Sequence, residues 1–169
     1  RKAARATVSF FVDVSNINPA PVSLTLRQGP IATSAGSFGN SSFIFSIIDD
    51  ITVSVTNGIA IFNNIPIYEG PLLTQTFTYN SRDYNQKFIL PNSGVDTDLM
   101  TVFVKDSETA TASTRYARQD NLFGANKYTK SYFLQEVEDE RYELLFGDGV
   151  FAQKLQDGNV ITVNYIRSN

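Results

Sequence analysis

Five carboxylates crowd one short stretch: Glu136, Glu138, Asp139, Glu140 and Glu143. Acid–base chemistry by a carboxylate pair needs one member buried so that its pKa rises. On a strand and turn, Glu136, Glu138 and Glu140 would share a side, but nothing around them buries a charge. They read as a solvated hairpin tip. Asp148 and Asp157 each stand beside a glycine and offer oxygen ligands, yet calcium takes about six to eight of them, and this spacing makes no calcium loop. An aspartate that hydrogen-bonds its own backbone two residues on explains both. The hydroxyls between Thr101 and Thr114 have no histidine to activate them, since the chain contains none, and no lysine motif replaces it. Gly36-Ser37-Phe38-Gly39-Asn40 lacks the lysine and the helix of a phosphate cradle. The residues therefore predict no catalytic, cofactor-binding or metal-ligating site.

Composition narrows the remaining classes. The 169 residues carry a net charge of −3 and are 42% hydrophobic. That is enough apolar surface for a real core. The charge gives little pull on nucleic acid or an anionic membrane, and no run is long enough to cross a bilayer. Cysteine is absent, so there are no disulfides or thiolate metal sites. The chain starts at Arg1 and its one methionine is Met100, which predicts a fragment of a longer protein. Eight tyrosines and thirteen phenylalanines suit a core, a protein interface or a stacking platform.

The elements that would position these residues are strands. Val8, Phe10, Val12 and Val14 alternate with Thr7, Ser9, Phe11 and Asp13, as in a half-buried strand. Val22, Leu24 and Leu26 alternate likewise. Gln28–Ser42, rich in Gly, Ser, Ala and Pro, predicts a long loop. Phe43–Ile48, Ile51–Thr56 and Ile59–Phe62 predict a meander, with Asn57-Gly58 as a hairpin turn. Asn63–Pro71 reads as irregular. Leu73–Tyr79 is a strand with a half-apolar face, and Leu99–Lys105 is another. A short helix is expected around Arg118–Phe123.

Phe133–Val137, a turn at Glu138–Glu140, Arg141–Phe146 and Val160–Ile166 then predict a three-stranded unit. The glycine turns Gly147-Asp148-Gly149 and Asp157-Gly158-Asn159 punctuate it. A helix is the rival for its first half, but Arg141 falls on the apolar stripe and Tyr142, Leu144 and Phe146 alternate. The fold class expected is mainly β: antiparallel sheets or meanders with long loops and at most one or two short helices. Two β-rich subdomains are expected, 1–75 and 76–169, with the boundary inside 70–85.

One ordered set of residues goes further. Phe133-Leu134-Gln135-Glu136, Glu140-Arg141-Tyr142-Glu143, Phe146-Gly147-Asp148-Gly149-Val150-Phe151, Asp157-Gly158-Asn159-Val160-Ile161 and Val163-Asn164-Tyr165 together resemble a signature. It is that of the baseplate wedge proteins of T4-like contractile-tailed phages, in the wider baseplate-J-like family. Ile65-Pro66-Ile67-Tyr68-Glu69-Gly70 fits more loosely. Ala152-Gln153 departs from the pattern, which has a glycine and a basic residue there. The resemblance implies a non-enzymatic virion component, made in the host cytoplasm. Its partners would be itself, as a homodimer or ring, and other baseplate wedge proteins. It would act in assembly and tail contraction. Phe146, Gly147, Asp148, Gly149, Gly158 and Asn159 are then fold-defining. Gly36 and Phe38 in the first long loop, with Glu138, Asp139 and Glu140 at the acidic tip, are the candidate contact residues. The alternative expectation is a β-rich receptor- or carbohydrate-binding tail module.

Overall fold

A computed structural model describes residues 1–34, 42–121 and 123–168. It is mainly β, with thirteen strands among the described residues. Among the described residues the helical content is one 3-10 turn at Glu138–Glu140, and no helix is long and apolar enough to cross a membrane. The chain forms two compact units. One holds Lys2–Leu72 with Ile166–Asn169, and the other Leu73–Tyr165 with Arg1.

The first unit is built on β6 (Ile59–Glu69), against which β1 (Arg5–Asp13) runs antiparallel along almost its whole length. On its other side β6 pairs with β5 (Ile51–Thr56) near its start and with β4 (Ile44–Ile47) near its end. Outside these lie β2 (Ser23–Leu26), on β5, and β3 (Gly29–Thr33), on β4. The expected meander over 43–62 is therefore wrong. β4 and β5 do not pair with each other; both use β6, which is long enough to take them end to end.

The irregular reading of 63–71 is also overturned. At Asn63–Asn64 two β6 residues face the single Ser9, a β-bulge, with Asn64 at a φ of 52°. The buried positions change there from even (Ala60, Phe62) to odd (Ile65, Ile67), and this broken parity hides the strand from a period-two reading. Pro66 fits because the ring nitrogen faces the side where β6 has no partner between Ala60 and Tyr68. The predicted loop over Gln28–Ser42 likewise contains β3, whose ladder with β4 overrides the low strand propensity of Gly29-Pro30. Residues 35–41, with Gly36 and Phe38, lie outside the described residues. Val8, Phe10, Leu24, Phe45 and Val53 close over the core of Ile47, Ala60, Phe62, Ile65 and Ile67.

The second unit is one seven-stranded sheet in the order β7 (Leu72–Thr78), β13 (Val160–Ile166), β9 (Thr101–Lys105), β10 (Thr114–Arg118), β11 (Ser131–Val137), β12 (Arg141–Phe146), β8 (Phe88–Ile89). Its two end strands meet through side chains. Phe77 on β7 packs edge-on against Phe88 on β8 at 5.5 Å, and Gln86 Nε2 donates to Thr78 O at 2.7 Å. The sheet thus curls into a nearly closed barrel around Leu90, Val102, Leu144, Ile161, Val163 and Tyr165.

Two expectations fail here. The helix expected around Arg118–Phe123 is absent among the described residues: Arg118 ends β10, whose Tyr116 is buried in this core opposite Val102, and a bend and turn follow. The three-stranded unit is two strands, β11 and β12; β13 pairs with β9 on the far side of β10 and β11. β-Propensity located all three strands but carries no information on which neighbour a strand will choose.

Candidate interaction surface

The two glycine turns are tightly specified. A Cβ on Gly147 would come within 2.2 Å of the Ala152 backbone, so only glycine permits that approach. Asp148 Oδ1 accepts from Val150 N at 2.8 Å and Phe151 N at 3.2 Å, and Gly149 N donates to Ala152 O at 3.0 Å. The two backbone donors hold the Asp148 carboxyl below the ordinary range. Ala152 is fully buried beneath the turn. Gly158 adopts a φ of 82°.

The second turn is anchored by its neighbours. Asn159 is buried; its Oδ1 accepts from Gln156 N at 2.9 Å and its Nδ2 donates to Asp106 O at 3.2 Å. Asp157 Oδ1 accepts from Ser81 N at 2.8 Å, which lowers its pKa as well. Tyr165, last of the signature, is buried and donates to Asn92 Oδ1 at 2.6 Å. The bonds of Asp148, Asp157 and Asn159 run to the chain itself and hold these turns.

The acidic tip is exposed and strongly bent. Asp139 and Glu140 both adopt positive φ, at 63° and 54°, and Arg141 reaches back to Asp139 Oδ2 at 3.5 Å. Glu136 and Glu140 line a shallow cavity of about 330 Å³ with Arg1 and Tyr142; Glu138 is outside it. Among the described residues no three carboxylates converge as metal ligands.

An open apolar surface lies elsewhere, on the outer face of β1 and β6. Phe11 is 68% exposed and faces Ile61, itself 63% exposed, as a cross-strand pair; Ile59 beside them is 37% exposed. Together with Ser9, Asn63 and the edges of Phe10 and Phe62 they form a groove of about 430 Å³. The Phe10 and Phe62 rings stack at 5.0 Å on the opposite face of the sheet, toward the core. Two of the groove's polar side chains bond each other: Ser9 Oγ donates to Asn63 Oδ1 at 3.0 Å, and it also accepts from Asn64 N at 2.8 Å.

Of the residues singled out by sequence, none lines this groove. The signal was present but faint: Phe11 is the one large apolar residue on a strand face otherwise made of Thr7, Ser9 and Asp13. Ile59 and Ile61 could not be placed beside it without the β1–β6 register. No known family model matches the chain, and no curated protein matches it.

Proposed function

We propose that the chain is a structural part of a contractile phage tail baseplate wedge, non-enzymatic, acting through self-association and through contacts with other baseplate proteins. The ordered residues from Phe133 to Tyr165 supply the baseplate part of this reading, by resemblance. The observation that carries the contact role is the open apolar face of Phe11, Ile59 and Ile61. An apolar cross-strand pair left in water suits burial against another protein. The test is assembly in infected cells with the gene carrying Phe11→Asp and Ile61→Asp together. Tails should accumulate without complete baseplates in electron micrographs; normal baseplates would sink the reading.

A receptor- or sugar-binding module is the second reading, favoured by the exposed Phe11 ring in its groove. A sugar also needs several free hydrogen-bonding groups around the ring it stacks on. Here Ser9 and Asn63 are bonded to each other, which weighs toward protein contact. Binding on a glycan array that Phe11→Ala abolishes would reverse that preference.

A further inference from the structure

The outer edge of β1 is a strand face without a partner among the described residues. Glu69 N donates to Ala4 O and Val14 N to Gly58 O, each at 2.8 Å. The extra residue of the bulge lies in β6, so β1 itself stays regular. Backbone groups alternate along a strand. The even residues of β1 therefore aim at β6, and Arg5, Thr7, Ser9, Phe11 and Asp13 aim their N–H and C=O outward. The other open edges of this sheet are protected: β2 has four residues, and β3 has five and contains Pro30. β1 has nine residues and no proline or lysine.

We propose that this edge pairs antiparallel with β1 of a second copy, in a two-fold arrangement centred on Ser9. Self-pairing must match odd residues with odd residues, since only those face outward. Of the registers that allow this, the one centred on Ser9 uses the full strand. It sets Arg5 of each copy opposite Asp13 of the other, and Thr7 opposite Phe11. The charges are thus complementary at both ends of the interface and need no second protein to supply them. Both residues are exposed and positioned for this. Arg5 lies over the Tyr68 ring at 5.7 Å. Asp13 takes both Ser15 donors on Oδ1, and its carboxyl is held below the ordinary range by them. The added strand would also extend the sheet beyond Phe11, giving its ring a neighbour in Thr7 of the other copy.

This inference rests on the self-association proposed above, and light scattering with sedimentation of the whole chain separates the two. The unaltered chain should dimerise. Thr7→Pro removes an outward N–H and leaves the β6 ladder intact; it should be monomeric with an unchanged circular dichroism spectrum. Arg5→Asp should weaken the dimer about tenfold, and Arg5→Asp with Asp13→Arg should restore most of that loss. The charge pair stands as the test if Thr7→Pro does not fold. A dimer that ignores Thr7→Pro and the charge exchange would overturn the β1 interface and leave self-association standing on another surface. A double variant no tighter than Arg5→Asp would overturn the Ser9-centred register. A chain monomeric at every concentration would overturn both the interface and the self-association.

Discussion

In the seven-stranded sheet the two end strands are joined through Phe77 and Phe88, whereas in the six-stranded sheet β1 keeps one edge open among the described residues. Both sheets carry aromatic residues on their edge strands, with opposite outcomes. Phe88 is buried, touching Phe77, Tyr79 and Phe146, and its contacts substitute for the hydrogen bonds that a fully closed barrel would have. Phe11 points out beside Ile61 and closes nothing within its own unit. A phenylalanine near a sheet edge can therefore serve the fold or remain available to a partner, and burial tells the two apart.

The sharpest way to break this comparison is to truncate both rings. Phe88→Ala should cost about 3–5 kcal/mol, the range for emptying a large core site, read as a lower urea midpoint. Phe11→Ser should stay within about 0.5 kcal/mol of the parent chain, as exposed positions do. Equal losses would mean that Phe11 is part of the fold, and its exposed face would no longer support a contact role.

A smaller effect is expected at the glycine turn. Gly147→Ala should destabilise by about 1–3 kcal/mol, because the Ala152 backbone must retreat from the new methyl group. Gly158→Ala meets open space and should lose less, only the cost of a positive φ, about 1 kcal/mol. A reversed order in thermal melts would show that conformation, not close approach, governs these turns.

The smallest effect is electrostatic. Asp148 and Asp13, one in each unit, both have lowered folded pKa values, caused first by the Val150 backbone bond for Asp148 and by the Ser15 side chain for Asp13. A carboxyl lowered in this way contributes stability above its unfolded pKa and loses it as pH falls through the lower folded value. Amide shifts of Val150 and Ser15, followed by NMR in an acid titration, should therefore move with midpoints below the ordinary carboxylate range. Midpoints within that range would mean the turn bonds are not kept in solution.

Much of the chain could be read directly. The strand Val160–Ile166, the acidic turn after Val137 and the Asn57-Gly58 hairpin rest on side-chain alternation and on local turn chemistry, which are properties of a few neighbouring residues. Where local rules were interrupted, reading failed. At Asn63–Asn64 a bulge reversed the apolar parity, and at Gly29-Pro30 a poor strand former was carried by its partner strand. The Phe11–Ile61 surface failed for a different reason. It joins residues fifty positions apart through a register that pairing decides.

The sequence by itself determined the β class, because propensity and turn residues act over a few positions. It also determined the turn glycines, because positive φ and close backbone approach admit little else. Only the tertiary structure decided which strands became neighbours, since any strand offers the same backbone groups to any other. It likewise decided which rings are buried and which edge stays open, because burial depends on what the rest of the chain brings alongside.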